Sequence, residues 1–269
     1  MPVKSTEIAT AAVALRQAAQ TRKYIAPLRE TYPDITIESA YAIQRLNTMQ
    51  KCGDGHRVVG CKIGLTSLAV QKQLGVDQPD FGMLFDDMSY GDSESIPFDT
   101  LTQPKIEAEI AFVLGRDLTM KNPGQLDVLN AVEYVLPALE IVGSRISNWN
   151  IGIADTIADN ASSSSFVLGS TPKKLGEMDL RLCGMVLERA GDPVSTGAGA
   201  ACLGNPLNAV VWLARTMAAL GTPLKAGSVV LSGALGPMAA VHTGDIFEAR
   251  ISGLGSVRAV FGQTGKEAA

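Results

Sequence analysis

Two glutamates, Glu107 and Glu109, stand two residues apart inside an apolar stretch of this 269-residue chain, and a third, Glu140, follows the apolar residues 135–139. Acidic side chains in such surroundings cost stability unless a partner compensates their charge. Mg²⁺ and Mn²⁺ prefer oxygen ligands and keep water positions that a substrate can take. The three glutamates therefore indicate a divalent-metal site. An ordinary solvent-facing strand edge is the alternative that the Glu107–Glu109 pair alone leaves open.

Two further positions carry groups suited to acid–base chemistry. Lys62 lies at the end of a run of apolar and small residues, just before Gly64, where burial would lower the pKa of its ammonium group. Asp80 lies in a loop shaped by Pro79 and Gly82, where it would orient Lys62 or a water molecule. The alternatives are a lysine that reaches solvent and an aspartate that only forms a turn.

Two polar loops are candidates for holding a carboxylate. Residues 159–165 are rich in serine and include Ser162, although a plain serine-rich turn is the alternative there. The loop that begins at Ser232 and Gly233 follows an apolar strand and offers backbone N–H groups to an oxyanion. It lacks the spacing of nucleotide-binding loops. His56 and His242 are isolated, without a GxSxG or HExxH motif, and are interpreted as structural residues.

The pattern around these positions predicts the elements that carry them. Alternation puts Glu107 and Glu109 on one face of a strand over residues 106–114, and Glu140 lies on a strand over residues 138–142. Glu140 completes the site if the two strands are neighbours. A strand over residues 58–63 carries Lys62. Further helices are predicted near residues 5–22, after a Thr36 cap, over 125–135 and from Asn205–Pro206 to Gly221, and further strands over 164–168, 180–187, 229–231, 246–251 and 256–261.

The order of these elements indicates the fold class. Helices dominate the first quarter of the chain, and strands dominate the rest without regular alternation with helices, which argues against a Rossmann or TIM barrel layout. We therefore predict an α+β protein with a helical N-terminal part over residues 1–55 and a catalytic β body over residues 56–269. A single domain over residues 1–269 fits the length equally well.

Composition excludes several classes of function. The net charge of −4 provides no broad basic field for nucleic acid or for an anionic membrane. No apolar run approaches the roughly 20 residues of a membrane helix, and the first residues lack the apolar core of a signal peptide, so a cytoplasmic location is expected. The cysteines show no CxxC spacing and are expected to be reduced thiols: Cys52, Cys61, Cys183 and Cys202.

Several motifs, in the same order and spacing, resemble those of the 2-keto-4-pentenoate hydratases of the fumarylacetoacetate hydrolase-like superfamily. The likeness covers nearly the whole chain and is carried by residues 59–67, 74–82, 103–110, 137–145 and 158–162. The resemblance implies a mixed β-roll or β-sandwich body with a small helical N-terminal part.

The same resemblance implies the chemistry. It implies that Mg²⁺ or Mn²⁺ binds at Glu107, Glu109 and Glu140, and that Lys62 and Asp80 act as acid and base. The expected reaction adds water to 2-hydroxypenta-2,4-dienoate and gives 4-hydroxy-2-oxopentanoate, late in the meta-cleavage degradation of aromatic compounds. The substrate would bind the metal through its C1 carboxylate and its C2 oxygen.

Binding partners follow from the same likeness. Ser162 and the Ser232–Gly233 loop are predicted to hold the substrate carboxylate. The family tends toward multimers, so a homo-oligomer is expected, and other enzymes of the pathway are candidate partners.

Several related activities stay open at this point. A 4-oxalocrotonate decarboxylase would use a similar set of glutamates and the same metal chelation. A hydratase for 2-oxohept-4-ene-1,7-dioate would need a cationic group, such as Arg145, at the distal end of its pocket. A non-catalytic partner subunit of such an enzyme is the alternative from another class of protein. A hydrolase of fumarylacetoacetate type would need a base that activates water, and no convincing histidine–glutamate pair is visible.

Overall fold

The structure is a computed structural model that describes residues 4–68, 71–72 and 76–262. Leu74 and Gly75, at the start of one family motif, lie outside the described residues. The helices are α1 (Ser5–Thr21), α2 (Leu28–Thr31), α3 (Ile37–Gly53), α4 (Gln125–Ala131), α5 (Ile153–Ala158) and α6 (Pro206–Ala219). Within the described ranges, no helix is long and apolar enough to cross a membrane.

The strands form two mixed sheets. They are β1 (Val58–Gly64), β2 (Asp80–Phe85), β3 (Ser89–Gly91), β4 (Ser95–Ile96), β5 (Lys105–Leu114), β6 (Val132–Val142), β7 (Ser163–Leu168), β8 (Gly184–Arg189), β9 (Asp192–Ala198), β10 (Val229–Leu231), β11 (Ala239–Ala240), β12 (Ile246–Ile251) and β13 (Gly255–Phe261). The larger sheet has the order β2-β1-β10-β5-β6-β7-β3, with β11 also paired to β5. The smaller sheet has the order β4-β13-β12-β8-β9.

The main core joins the two sheets. Ile106 and Ile110 of the larger sheet belong to the same buried cluster as Phe247 and Val257 of the smaller sheet, together with Leu213 of α6. Most neighbouring strands are antiparallel, whereas the β1–β10, β3–β7 and β4–β13 pairs are parallel. Two packed mixed sheets with several helices confirm the predicted α+β class and its β-sandwich body.

The N-terminal helices form a second, smaller core. Ala12 and Leu15 of α1 pack with Ala40 and Ile43 of α3 and with Ile157 of α5. The predicted cap of α3 is confirmed, because the Thr36 side chain accepts a hydrogen bond from the backbone N–H of Ser39. The division of the chain at residues 55 and 56 stays a prediction.

One predicted helix is too long. The pattern over residues 125–135 predicts a helix, but α4 ends at Ala131 and β6 begins at once with Val132. Val132, Tyr134 and Val135 are β-branched or aromatic residues, which fit a strand better than a helix interior. The strand that carries Glu140 is therefore longer than predicted.

Alternation in β5 separates two layers. Ile106, Ala108 and Ile110 point into the main core. Glu107 and Glu109 point to the opposite face of the larger sheet, as predicted. The candidate site lies on that second face.

Candidate active site

The three glutamates come together across two adjacent strands. Glu107 lies directly opposite Glu140 in the antiparallel β5–β6 pair. One oxygen from each of Glu107, Glu109 and Glu140 can be chosen so that all three lie within 4.8 Å of one another. Glu109 and Glu140 are fully buried, and Glu107 is half-buried. The predicted adjacency of the two strands is confirmed, and an exposed strand edge is excluded for these side chains.

The oxygens of this cluster fit a hard cation. Glu109 Oε1 and both carboxylate oxygens of Glu140 are buried, and none of them accepts a hydrogen bond from the residues that the structure describes. Glu109 Oε2 accepts one from the backbone N–H of Gly233 at 2.8 Å. Orphaned buried carboxylate oxygens are costly unless a cation binds them. Together with the nearby carboxylate of Glu107, the Glu109 and Glu140 carboxylates form a suitable ligand set for Mg²⁺ or Mn²⁺.

Lys62 is buried beside the glutamates. Its Nζ donates a hydrogen bond to the Ala161 carbonyl at 2.9 Å and lies 3.3 Å from Glu140 Oε2. Burial alone would lower the pKa of this ammonium group, but the charges of Glu140, Asp80 and the other carboxylates outweigh burial and raise it. The predicted lowering of the Lys62 pKa is therefore wrong, because the neighbouring carboxylates raise it. The alternative of a lysine that reaches solvent is also excluded, because Lys62 is buried.

Asp80 is the first residue of a strand, whereas the proline and glycine around it predict a loop. It pairs with Gly64 across the β1–β2 pair. The strand follows from the aromatic and aliphatic run that begins at Phe81, which favours pairing. Asp80 is 1% exposed, and neither of its carboxylate oxygens has a hydrogen-bond partner among the described residues. Burial raises the pKa of Asp80, and the nearby Lys62 charge opposes this shift only in part.

The residues predicted to bind the substrate carboxylate lie near the three glutamates, and each of them already takes part in a hydrogen bond within the protein. The Ser162 hydroxyl lies 3.3 Å from the Thr156 hydroxyl. Ser232 is fully buried, and its hydroxyl accepts a hydrogen bond from the Ile110 N–H at 3.4 Å. The Gly233 N–H orients Glu109. Contact of these groups with a substrate stays a prediction.

Glycine is required at position 233 for a local reason. Gly233 has a φ of +100°, and a Cβ there would lie 2.2 Å from Thr66 Oγ1. Any other residue would strain the backbone and displace Thr66. Glycine thus permits the backbone conformation in which the Gly233 N–H points toward Glu109.

One residue that supports the site, contributed by the N-terminal helices, is not among the predicted site residues. Gln44 of α3 is 3% exposed, and its Nε2 donates to the Phe81 carbonyl at 2.8 Å and to the Ile157 carbonyl at 3.0 Å. Phe81 directly follows Asp80, so Gln44 fixes the main chain beside that carboxylate. A glutamine next to Ile43 on the inner side of a helix was the available signal.

A second group of potential ligands is weaker. His56, Asp86 and Asp87 also bring ligand atoms within 4.8 Å of one another, but none of them is buried. The Lys51 ammonium lies 2.9 Å from Asp87, and the Arg57 guanidinium lies 3.9 Å from Asp86. Their charges are therefore largely balanced by side chains, unlike those of the buried glutamates.

A cavity of about 430 Å³ opens beside Glu107. It is lined by Ile63, Gly64, Leu65, Thr66, Ser67, Glu107, Ala201, Ala234, Gly236, Pro237 and Met238. A cavity of this size can hold a small organic acid next to the glutamates.

We expect Gly64→Ala to lower turnover by about 100-fold, since a displacement of roughly 1 Å in an active site can have such an effect. A Cβ at Gly64 would lie 2.1 Å from Asp80 Oδ1 and 3.5 Å from Lys62 Nζ, so Asp80 has to move. Steady-state kinetics with 2-hydroxypenta-2,4-dienoate, the substrate that the resemblance implies, measures this. Gly176→Ala is the matched control, because a Cβ there meets nothing within 4 Å. Equal turnover of the two variants would show that catalysis does not depend on the observed position of the Asp80 carboxylate.

The raised pKa values of the buried carboxyl groups determine how the stability of the fold should depend on pH. Burial is the main cause that raises the pKa of Glu107, to about 7, and that of Glu109, Glu140 and Asp80. A folded state that holds protons more tightly than the unfolded chain loses stability as pH rises from the unfolded pKa through the folded pKa. We therefore expect the Tm in EDTA to fall between about pH 5 and pH 8, and Mn²⁺ to restore it at the upper end.

Differential scanning fluorimetry across this pH range measures the effect. Glu109→Gln removes one of the raised carboxyl groups, so its Tm in EDTA should fall less steeply with pH. A wild-type Tm in EDTA that stays level or rises over the same range would contradict the raised pKa values of these buried carboxyl groups.

Comparison with known proteins shows which family the chain belongs to. Residues 57–261 match the family model described as fumarylacetoacetate (FAA) hydrolase C-terminal. The chain is 65% identical over 251 residues to a 2-keto-4-pentenoate hydratase of Paraburkholderia xenovorans, with 93% of each chain covered. It has the same identity and coverage with 2-keto-4-pentenoate hydratase 3 of Pseudomonas putida.

A solved structure agrees over almost the full length. The 4-oxalocrotonate decarboxylase of Pseudomonas putida G7, complexed with magnesium and adipate, superposes with a TM-score of 0.92 at 36% identity, covering 96% of this chain and 98% of that one. The chain therefore belongs to the fumarylacetoacetate hydrolase family and, within it, to the 2-keto-4-pentenoate hydratases.

Proposed function

We propose that the chain is a metal-dependent hydratase that adds water to 2-hydroxypenta-2,4-dienoate and gives 4-hydroxy-2-oxopentanoate, in the meta-cleavage degradation of aromatic compounds. The observation that carries this proposal is the convergence of Glu107, Glu109 and Glu140 close to the buried Lys62 and Asp80. Glu107 also lines a cavity large enough for the substrate. The 65% identity to named hydratases favours hydration over decarboxylation.

Glu107, Glu109 and Glu140 are the proposed metal ligands, and either Mg²⁺ or Mn²⁺ fits their oxygen atoms. A divalent ion bound there would act as a Lewis acid for negative charge on the C2 oxygen of a 2-oxo acid. Lys62 holds Glu140 through its ion pair, and the Gly233 N–H holds Glu109. These contacts keep two of the ligands in place before an ion arrives.

Lys62 and Asp80 are the proposed proton-transfer groups. The reaction removes the proton of the C2 hydroxyl, protonates C5, adds hydroxide from water at C4 and delivers a proton to C3. The surrounding carboxylates raise the pKa of Lys62 and keep it protonated, so it carries a proton to donate. A divalent ion that neutralises those carboxylates would lessen this rise in pKa and make Lys62 a better acid. Asp80 has two oxygens without hydrogen-bond partners in the described structure and is suited to accept a proton from water.

The substrate carboxylate needs polar neighbours next to the metal ligands. We propose Ser162 and the Ser232–Gly233 loop for this role. Their positions beside Lys62 and Glu109 support it, because the Ala161 carbonyl that binds Lys62 directly precedes Ser162, and the Gly233 N–H binds Glu109. Ser162→Ala should then raise KM more than it lowers kcat.

Loss of the dienoate's ultraviolet absorbance tests the proposed function. With Mg²⁺ or Mn²⁺ the chain should consume 2-hydroxypenta-2,4-dienoate, and EDTA should stop the reaction. The product should be the hydroxy-oxo acid, and 4-oxalocrotonate should not lose CO₂. Release of CO₂ from that dicarboxylate at a comparable rate would instead identify a decarboxylase. A chain that neither turns over the dienoate nor binds Mn²⁺ in calorimetry would be a non-catalytic partner subunit.

We also propose a setting for the enzyme. We propose a homo-oligomer in the cytoplasm, in which other enzymes of the pathway are candidate partners, and a boundary between the helical part and the β body near residue 55. Light scattering of the purified chain tests the oligomer. Expression of residues 56–269 alone tests whether the β body folds without the helices.

A further inference from the structure

Three consecutive residues beside Lys62 have left-handed backbone conformations. Asn160, Ala161 and Ser162 have φ values of +54°, +51° and +56°. Residues with a Cβ adopt this conformation at a cost, and normally one at a time. Elsewhere in the described ranges, non-glycine residues with a positive φ occur singly or as one adjacent pair. Residues 160–162, which we call the left-handed turn, therefore need contacts that hold them in place.

The Asn160 amide provides the first of these contacts. Its Oδ1 accepts a hydrogen bond from the Met83 N–H at 2.8 Å, and its Nδ2 donates to the Met83 carbonyl at 2.9 Å. Met83 lies in β2, the edge strand of the larger sheet in the described chain, so the amide pairs with this edge as a further strand would. Gly82 lets the turn come this close, because a Cβ there would lie 2.2 Å from the Asn160 carbonyl oxygen.

Arg145 holds the two ends of the turn. Its guanidinium forms an ion pair with the Asp159 carboxylate, and it also donates to the Asp159 carbonyl and, at 3.3 Å, to the Ser163 carbonyl. Asp159 and Ser163 directly flank the turn. Arg145 is 9% exposed and is absent from the described lining of the cavity beside Glu107. Its charge is thus used within the protein, to fasten the chain on both sides of the turn.

The left-handed turn brings one backbone group to the candidate site. The Ala161 carbonyl accepts a hydrogen bond from Lys62 Nζ at 2.9 Å, and the same Nζ lies 3.3 Å from Glu140 Oε2. An ammonium group has three donors, so these two acceptors leave one N–H with a defined direction. If the turn relaxed to a right-handed conformation, the Ala161 carbonyl would rotate away and Lys62 would lose this orientation.

We propose that Asn160 is a positioning residue for the reaction: its amide fixes the left-handed turn on β2, and the Ala161 carbonyl of that turn directs the Lys62 ammonium. The inference rests on the proposed function, in which Lys62 transfers a proton. Asparagine suits this position for two reasons. It tolerates a positive φ better than most residues, and its amide offers both the donor and the acceptor that the backbone of Met83 requires.

Asn160→Gly tests the proposal, because glycine keeps the left-handed conformation accessible and removes the amide. We expect kcat to fall at least about 10-fold, since a displacement of about 1 Å in an active site can cost roughly 100-fold. Mn²⁺ affinity should stay unchanged, because the amide binds Met83 rather than a proposed metal ligand. Asn148→Gly is the matched control and should keep its kcat. Asn148 is also left-handed, with a φ of +59°, but it is exposed.

A double-mutant cycle separates positioning from a general loss of structure. In the Lys62→Met background, Asn160→Gly should change kcat by less than about 2-fold, because the group that it positions is gone. An equal fall of kcat in both backgrounds, or an unchanged kcat in Asn160→Gly alone, would contradict the proposal. Asn160→Asp takes the place of Asn160→Gly in this cycle if the glycine variant does not fold. Aspartate keeps the size of the side chain and an acceptor for the Met83 N–H but cannot donate to the Met83 carbonyl.

A crystal structure of Asn160→Gly, grown without metal, gives a readout besides turnover. We expect the distance from Lys62 Nζ to the Ala161 carbonyl oxygen to exceed about 3.5 Å, which is outside hydrogen-bonding range. An unchanged turn with this distance still at 2.9 Å would overturn the proposal. A wild-type enzyme that does not turn over the dienoate would instead overturn the proposed function, whereas the crystal structure would still decide whether Asn160 positions Lys62.

Discussion

Glu109→Gln should lower the affinity for Mn²⁺ by at least about 100-fold and turnover at limiting metal by about 1,000-fold. Changes to groups that only orient a ligand already lower metal affinity by roughly 10- to 100-fold, and Glu109 is itself a proposed ligand. Glutamine keeps the size of the side chain and can still accept the Gly233 N–H bond at the position of Glu109 Oε2. The substitution therefore removes mainly the charge. Isothermal titration calorimetry and the absorbance assay measure the two effects.

The control for this variant is an exposed glutamate. Glu177→Gln changes the same chemical group at an exposed position, and it should leave Mn²⁺ affinity and turnover unchanged. Near-wild-type Mn²⁺ affinity in Glu109→Gln would remove Glu109 from the ligand set. Far-ultraviolet circular dichroism of each variant separates loss of the metal site from loss of the fold.

Lys62→Met and Asp80→Asn should each lower kcat by about 100-fold or more, which is the range of a positioned acid or base. Lys62→Met should not weaken metal binding, and Asp80→Asn should weaken it far less than Glu109→Gln does, because Asp80 is not a proposed ligand. Removing the Lys62 ammonium, 3.3 Å from Glu140 Oε2, takes away a positive charge that competes with the ion, so Mn²⁺ should bind at least as tightly. Turnover and Mn²⁺ affinity thus change independently, which distinguishes Lys62 and Asp80 from the three glutamates.

The comparison for the lysine variant is Lys174→Met. Lys174 forms an exposed ion pair with Glu133, so its loss should affect neither turnover nor metal affinity. If Lys62→Met and Asp80→Asn both kept near-wild-type kcat at saturating Mn²⁺, the assignment of proton transfer to this pair would be wrong. A fall in kcat that accompanies a matching fall in Mn²⁺ affinity would indicate a role in metal binding instead.

The sequence was informative about the site where a short-range pattern determines the geometry. Alternation in a strand is local, so it placed Glu107 and Glu109 on one face, opposite Ile106 and Ala108. The register that brings Glu140 opposite Glu107 depends on how two strands distant in sequence pair. From the residue pattern alone, Glu140 could be predicted as the third ligand only if the two strands were neighbours. The resemblance to a known family indicated the full set of Glu107, Glu109 and Glu140.

Charges and long-range contacts were less predictable. The lowered pKa expected for Lys62 considered its burial alone, whereas the structure surrounds it with several carboxylates that raise the pKa. Gln44 supports the main chain beside Asp80 from a helix 37 residues away in sequence from Phe81. The position of Gln44 on the inner side of α3 indicates burial, but neither its partners nor the carboxylates around Lys62 can be identified from local sequence, because the fold brings these groups together.

An anomalous difference map from crystals grown with Mn²⁺ tests the central claim most directly. We expect one strong peak between Glu107, Glu109 and Glu140, at a coordination distance of about 2.0–2.2 Å from an oxygen of each carboxylate. A peak only at the exposed His56, Asp86 and Asp87 group, or none at the three buried glutamates in crystals of the Mn²⁺-activated enzyme, would contradict it.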